Sequence, residues 1–306
     1  MTDNPKILVI YFTQTGQLKA IIDRVLAPLQ GKADIRFEQI VPVAPFPFPW
    51  TKQQFYDAMP ECVLHRPRAI EPLKTSADEH FDLVVLAYQP WFLSPSQPVT
   101  AFLQSEAGKR LLKGKNVLTL VGARNMWLNP QERVKQYLKD AGANLVGNVV
   151  LVDKHNNLVS VLTVFRWAFK GQKEASGLLP EAGVSSADIQ AASRFGEPIA
   201  RALVTKDWSS LQPALLKLGA VEINPGLVVL EARAQKPFRF WAGYIAEKGG
   251  PGAAERQGRI KMYRTLLILG IFTLTPISAI SAKFAVIFKK KELEDEVEYH
   301  KGVSLR

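Results

Sequence analysis

A short polar loop near the beginning of the chain has the residue types of a phosphate-binding turn. It comprises Thr13, Gln14, Thr15, Gly16, Gln17 and Leu18. An apolar run precedes this loop and apolar residues at helical spacing follow it, which predicts a strand, a turn and a helix. The free amides at a helix N-terminus favour a phosphate dianion, and Gly16 allows the positive φ that such a turn requires. We therefore expect this loop to bind a phosphate group.

Two later loops carry flat and apolar side chains that suit a planar ring. Residues 88–95 and 122–127 each follow an apolar run of strand formers. Ligands of open α/β sheets bind beyond the carboxyl ends of the strands, where all three loops should meet. A phosphate cradle beside flat side chains predicts flavin mononucleotide, FMN, as the cofactor. Besides the six residues above, the predicted contacts are Pro90, Trp91, Phe92, Leu93, Gly122, Ala123, Arg124, Asn125, Met126 and Trp127.

No single residue stands out as the catalytic acid or base, so four candidates stay open. Arg124 could hold negative charge beside a reduced flavin, and Tyr88 lies on a strand-end loop. His65 and His80 could transfer protons because histidine titrates near neutral pH; a structural or exposed role is the alternative for each. The four histidines show no metal-ligand spacing, so we predict no metal site. The single cysteine, Cys62, is expected to be a buried thiol.

The elements that must position these loops alternate regularly. Strands are predicted at 7–12, 35–41, 81–87, 116–121 and 144–152, with helices between them. This order indicates an α/β fold with a doubly wound, five-stranded parallel sheet. Two apolar insertions, 42–79 and 153–184, interrupt the alternation. The first is rich in proline and aromatic residues, which suits a lipophilic substrate, although packing on the core is the alternative.

The run 7–18 resembles the phosphate-binding signature T/S-x-T-G-x-T of flavodoxins, and the resemblance extends over about residues 6–204. Leu18 departs from it, because flavodoxins have a hydroxyl there. The variant T-Q-T-G-Q-L, on a chain of 306 residues, more narrowly resembles the bacterial dialkylresorcinol condensing enzymes. That resemblance implies a flavodoxin-like, FMN-dependent oxidoreductase that aromatises a cyclic, lipid-like intermediate beside a ketosynthase partner. An NAD(P)H:flavin or quinone reductase and a non-enzymatic membrane scaffold are the alternatives.

Charge is concentrated near the C-terminus. The chain has 39 basic and 28 acidic residues, a net charge of +11. Residues 256–291 contain eight of the basic residues and no acidic one, and they flank the uncharged run 266–282. A basic stripe across the whole chain would indicate nucleic acid. A basic stretch around an apolar segment instead predicts a membrane surface bound through 256–291, with no nucleic-acid partner.

The expected organisation has four parts. Residues 1–210 form the FMN-binding domain, and 211–264 form a small linking element of strand and helix with an aromatic and basic face. Residues 265–288 form a hydrophobic membrane-associating segment that lies in one leaflet, spans the bilayer or packs on the protein. Residues 289–306 form a charged tail. The expected location is the cytoplasmic side of the inner membrane, with the protein peripheral or anchored.

Overall fold

The computed structural model describes residues 4–306, apart from the side chains of 274–285 and 287. Apolar runs of strand-forming residues build its strands. The strands are β1 (Lys6–Tyr11), β2 (Asp34–Gln39), β3 (Leu83–Tyr88), β4 (Pro90–Trp91), β5 (Ser94–Pro95), β6 (Asn116–Ala123) and β7 (Asn144–Val152).

Within the described residues, β1, β2, β3, β6 and β7 form one parallel sheet in the order β2-β1-β3-β6-β7. The order runs outward from β1 in both directions, which is the doubly wound arrangement of flavodoxin-like proteins. The predicted fold class is therefore confirmed. The strands β4 and β5 pair as a small antiparallel hairpin directly after β3.

Helices cover both faces of the sheet and continue to the C-terminus. They are α1 (Gln17–Leu26), α2 (Lys52–Asp57), α3 (Met59–Val63), α4 (Gln97–Gln104), α5 (Glu106–Leu112), α6 (Leu128–Asp140), α7 (Asn157–Lys170), α8 (Ser186–Ala191), α9 (Gly196–Thr205), α10 (Leu211–Lys217), α11 (Pro225–Ala246), α12 (Gln257–Phe288) and α13 (Lys290–Lys301). Residues 97–112 form two helices and not one, because extended Ser105 caps α5 by accepting from the Gly108 amide.

The prediction of a strand within the linking element was wrong. Residues 211–264 contain only helices and turns, because apolar residues such as Val228 and Ile245 form part of a helical face rather than alternating. The long helices α11 and α12 pack on each other and on α2 and α3 from the first insertion. Their shared apolar cluster consists of Tyr56, Met59, Val63, Ala242, Ile245, Ile260 and Tyr263.

A buried arginine fixes the start of α12 to the insertion. The Arg256 side chain is 0% exposed and donates to Asp57 Oδ1 at 2.8 Å and to Glu61 Oε1 at 2.7 Å. Arg256 Nη1 also donates to the carbonyl of Gly249, which ties down the glycine-rich turn between the two helices. Arg256 therefore belongs to an internal ion pair, and the basic stretch 256–291 loses one of the charges expected to face a membrane.

Most of the predicted membrane-associating segment, residues 274–285 and 287, has side chains outside the described residues. In the described part of the chain, no helix has an apolar stretch of the length needed to cross a bilayer. The residues of the predicted charged tail form α13, and Leu293 is buried against the main core. This tail is therefore packed on the protein.

We expect Arg256→Gln to destabilise the folded chain by about 3–5 kcal/mol, because the substitution leaves two carboxylates buried without their cation. Urea unfolding followed by circular dichroism measures the change. Lys261→Gln, which removes an exposed charge from α12 just after Arg256, should change the unfolding free energy by less than about 0.5 kcal/mol. Equal effects of the two substitutions would contradict the assignment of Arg256 as a structural ion pair.

Candidate functional site

The loop after β1 has the geometry of an anion cradle. Gly16 caps α1 with a left-handed backbone, φ +83°, and no side chain caps the helix. A Cβ added to Gly16 would meet nothing within 4 Å, so the space above the turn is open. The Thr13 hydroxyl accepts a hydrogen bond from the Gly16 amide at 3.1 Å, which fixes the turn. The first-turn amides of α1 and the exposed Thr15 are left facing outward, as a phosphate requires.

The side chains of two glutamines in this loop bind the insertions and do not face the open turn. Gln14 Nε2 donates to the carbonyl of Pro47 at 2.9 Å. Gln17 Nε2 donates to the carbonyl of Val184 at 3.1 Å, and the Val184 amide donates back to Gln17 Oε1 at 3.2 Å. Their predicted contact with FMN is therefore not available to these side chains. Both insertions are anchored beside the cradle instead.

The side chain of Leu18 faces the core, where it is 4% exposed. A Cβ added to Gly122 would lie 3.4 Å from Leu18 Cδ1 and 3.2 Å from Ile21 Cδ1. Gly122 thus allows α1 to pack closely on β6. Gly122 and Ala123 belong to β6 and not to the loop that follows it. The side chain of Leu18 and the residues Gly122 and Ala123 therefore pack in the core instead of facing a ligand as predicted, and only the backbone amide of Leu18 is left for an anion.

The aromatic residues after β3 lie in two different places, one near the phosphate loop and one at a separate cavity. Trp91 lies edge-on to Phe12 at 5.7 Å and to Phe46 at 5.0 Å between ring centroids, close to the phosphate loop. Phe92 and Leu93 form the two-residue turn of the β4–β5 hairpin and line a separate cavity. Of the predicted ring contacts in this loop, only Trp91, with Pro90 preceding it, lies on the side of the cradle.

The thiol of Cys62 fixes this hairpin from the insertion. Its Sγ lies 3.2 Å from the carbonyl of Trp91 and 3.5 Å from that of Pro95, as a donor to both. Burial raises the pKa of the thiol well above its usual range. The prediction of a buried thiol is confirmed.

The polar side chains of the loop after β6 are hydrogen-bonded to Asn157, the first residue of α7. Arg124 Nη1 donates to Asn157 Oδ1 at 2.7 Å, and Asn125 Nδ2 donates to the same oxygen at 2.9 Å. Burial lowers the pKa of Arg124 to about 10, so it stays charged at neutral pH. Trp127 is only 3% exposed and Met126 is half-buried. Trp127 therefore packs inside the protein and leaves no open face for a flavin ring.

Tyr88 is fully buried beneath the strand ends. Its hydroxyl donates to Gln131 Oε1 at 2.6 Å, Gln131 Nε2 donates to Thr119 Oγ1 at 3.0 Å, and Thr119 donates to Asn148 Oδ1 at 2.9 Å. Burial raises the pKa of Tyr88 well above its usual value. A neutral phenol inside a closed network cannot reach a substrate, so Tyr88 is a structural residue.

The two histidine candidates lie in different places. The side chain of His80 is 76% exposed and precedes β3, which puts it at the amino ends of the strands, the edge opposite the cradle. That excludes it from the site. His65 lies beside Phe92 and Leu93 in the separate cavity. Burial, with Arg133 and Arg239 nearby, lowers the pKa of His65 to about 4, so its ring is neutral at neutral pH.

A buried carboxyl group lies beside the loops that sequence patterns did not predict, and two aromatic residues of the insertions lie there that were not among the predicted site residues. Glu231 of α11 is 1% exposed and accepts from the Leu128 amide at 3.2 Å and the Asn129 amide at 2.6 Å. It thus caps α6 directly after the third loop. Phe48 and Trp167, 6.5 Å apart between ring centroids, come from the two insertions that the glutamines anchor. Glu231 is the single acidic residue of α11 and follows the apolar run 227–230, which was the available signal that its carboxyl group is buried.

The candidate site is the open turn at the start of α1, with aromatic side chains from the first insertion and from β4 beside it. Thr13, Thr15, Gly16 and the first-turn amides of α1 offer the anion-binding groups, and Phe46 and Trp91 supply flat side chains beside them. The donor set therefore fits the phosphate of FMN, while the ring walls differ from the expected ones. Among the side chains described, no group of three or more His, Cys, Asp or Glu residues could hold a metal ion.

Solved structures similar to part of this chain include flavoproteins. A flavoprotein from Lactobacillus acidophilus NCFM in complex with FMN shares 15% identity, covering 48% of this chain and 93% of that one, with a TM-score of 0.40. A flavodoxin from the domain Archaea shares 13% over 65% and 99%, with a TM-score of 0.35. A flavone reductase shares 13% over 66% and 63%, also with 0.35. No protein-family model and no curated protein matches the sequence.

The fold and the cradle together define the class of this protein. The order β2-β1-β3-β6-β7, with an open left-handed turn between β1 and α1, is the arrangement of a flavodoxin-like α/β fold. This chain adds to that fold two insertions at the carboxyl edge of the sheet and a set of C-terminal helices that pack on them.

The raised pKa of Glu231 predicts that its contribution to the unfolding free energy depends on pH. Burial raises its pKa to about 7 from the usual 4.5, so folding favours the protonated carboxyl group. The stabilisation of the folded state that results is complete below about pH 4.5 and is lost as the pH rises through 7. Between pH 5 and 8, the unfolding free energy of Glu231→Gln should rise relative to the native chain by up to about 3 kcal/mol. Chemical unfolding at each pH measures it. Glu174→Gln, at an exposed position, should show a constant difference; a constant difference for Glu231→Gln would contradict the prediction.

Proposed function

We propose that this protein is an FMN-dependent oxidoreductase. The observation that carries the proposal is the open, left-handed turn at Gly16, placed at the N-terminus of α1 and directly beyond β1. That position is where a flavodoxin-like sheet binds its ligand. The first-turn amides of α1 and the hydroxyls of Thr13 and Thr15 would hold the phosphate. The flavin, when bound, supplies hydride transfer.

The residues around the cradle favour a lipophilic substrate. Phe46, Phe48 and Trp91 surround the turn with aromatic surface, and the proline-rich segment that carries two of them is held by Gln14. An aromatic surface lowers the local polarity and excludes water from a reacting ring. A cyclic, lipid-like compound that becomes aromatic by giving a hydride to the flavin and a proton to a base fits these surroundings. The T-Q-T-G-Q-L motif is the reason for proposing aromatisation in dialkylresorcinol or related aryl-lipid biosynthesis, beside a ketosynthase.

A substitution in the cradle tests flavin binding. In Gly16→Asp, a carboxylate would occupy the open space and repel the phosphate, while aspartate tolerates the left-handed backbone better than most residues. We expect the native protein to retain FMN through gel filtration, seen as visible flavin absorption, and Gly16→Asp to lose it.

Gly31→Asp is the matched control, because Gly31 has a similar φ of +74° and equally open surroundings away from the cradle. It should retain FMN like the native chain. A native protein that retains no FMN would overturn the proposed function. Retention by Gly16→Asp equal to that of the native protein would place the phosphate elsewhere.

We also propose that α11 and α12 bind an anionic membrane surface. Met262, Leu266, Leu269 and Phe272 recur at helical spacing on α12 and are all exposed, and Phe240 of α11 is exposed as well. The exposed Lys261 precedes this apolar face. Apolar side chains with adjacent cations are typical of helices that lie in the interface of a bilayer.

Vesicle sedimentation tests this surface. The native chain should sediment with vesicles of phosphatidylglycerol and phosphatidylcholine, and Leu269→Glu/Phe272→Glu should remain in the supernatant. The control, Leu178→Glu/Val204→Glu, introduces the same charge at exposed apolar positions elsewhere and should sediment like the native chain. Sedimentation of the first variant to the native extent would refute the membrane-binding face.

A further inference from the structure

A cavity of about 290 Å³ lies between the β4–β5 hairpin, α6 and α11. It is distinct from the phosphate cradle, since none of the residues 13–18 lines it. Its apolar wall consists of Val63, Phe92, Leu93 and Phe238. The volume is at the lower end of the range for small-molecule sites, which suits a single ring or a short hydrocarbon chain.

The cavity carries two cations without acidic partners. Arg133 of α6 and Arg239 of α11 both line it. Among the ion pairs and hydrogen bonds of the described residues, neither guanidinium contacts a carboxylate; Arg133 lies 5.3 Å from the centroid of the Tyr137 ring. Asn129, Gln136 and Gln235 line the same cavity, although the side-chain amides of Asn129 and Gln136 already donate to Glu231 and Asp140. The two guanidinium groups are therefore the part of the lining that recognises an anion.

The one acidic residue of the lining does not cancel these charges. Glu132 has its own partners outside the cavity: Lys135 Nζ at 2.9 Å, His300 Nδ1 at 3.4 Å and the Tyr299 hydroxyl. These partners lower the pKa of Glu132 to about 2 in spite of its burial. The charge of Glu132 is therefore balanced by Lys135, and the positive charge of the cavity is left for a ligand.

Backbone strain is concentrated at this cavity. The described chain has four residues other than glycine with positive φ, and three of them, His65, Phe92 and Leu93, line the cavity. The turn of the hairpin has positive φ at both central residues, a type I′ turn that favours Asn-Gly. A phenylalanine and a leucine in those positions make the turn less favourable and put two apolar side chains on the cavity wall. Strain of this kind persists only where the surrounding structure enforces it, and strained residues cluster at functional sites.

We propose that this cavity binds an organic acid, with Arg133 and Arg239 on the carboxylate and Phe92, Leu93 and Phe238 around its hydrocarbon part. The planar guanidinium fork matches the two oxygens of a carboxylate. The half-buried aromatic side chains lose their remaining contact with water when a ring or alkyl chain enters. This site does not depend on flavin binding, so its failure would leave the proposed oxidoreductase untouched, and the reverse.

Isothermal titration of the full chain with 4-butylbenzoate and its neutral analogue 4-butylbenzamide tests the proposal. We expect 4-butylbenzoate to bind at least about tenfold more tightly, since hydrogen bonds between charged groups distinguish the two compounds. Arg133→Gln/Arg239→Gln should remove this preference. Lys139→Gln/Lys236→Gln removes the same charge from the same two helices at exposed positions outside the cavity and should keep it.

A second variant tests the apolar wall. Phe92→Asn/Leu93→Gly supplies the pair that a type I′ turn favours, so the hairpin is retained, and it should weaken the binding of both compounds by a similar factor. Equal affinity of the native chain for the two compounds would overturn the proposal, as would a preference that survives Arg133→Gln/Arg239→Gln. Displacement of 4-butylbenzoate by a lower concentration of inorganic phosphate would also overturn it. Unchanged affinity in Phe92→Asn/Leu93→Gly would remove the apolar wall from the site.

Discussion

Parallel pairing of β1 with β3, and of β3 with β6, brings the carboxyl ends of three strands to one edge of the sheet. Tyr11 is in register with Ala87, and Ala87 with Leu120. The residues between the sheet and its helices are fully buried, as Ile10 and Leu86 show. The loops that follow the strands therefore have to emerge at the same edge. The cradle, the hairpin and the contacts to α7 all follow from this one constraint.

The insertions at this edge are held by side chains that replace backbone partners. A glutamine amide carries both a donor and an acceptor, so Gln17 exchanges two hydrogen bonds with Val184 as a strand would. Gln14 holds the proline-rich segment in a similar way, through carbonyls that prolines and their neighbours leave free. Because side chains make these contacts, the backbone amides at the start of α1 stay available for an anion.

Buried polar groups attach the C-terminal helices to the sheet domain. Arg256 joins the start of α12 to Asp57 and Glu61, and Glu231 joins α11 to the N-terminus of α6. A buried ion or carboxyl group without its partners would be costly, so these contacts define where each helix lies. With α11 fixed against α6, Arg133 and Arg239 face a common cavity. The second site is therefore a consequence of how the helices are attached.

The sequence by itself determined the sheet, the left-handed turn at Gly16 and the buried thiol. Apolar runs of strand formers and the loop around Gly16 are local patterns, because strand burial and turn geometry depend on neighbouring residues. Only the tertiary structure decided which loop residues face a ligand. Trp127 packs inward, Tyr88 lies in a buried network, and Phe92 lines a different cavity from Trp91. The direction of such side chains depends on contacts with residues far away in the chain, such as Asn157 and Glu231, which no local pattern records.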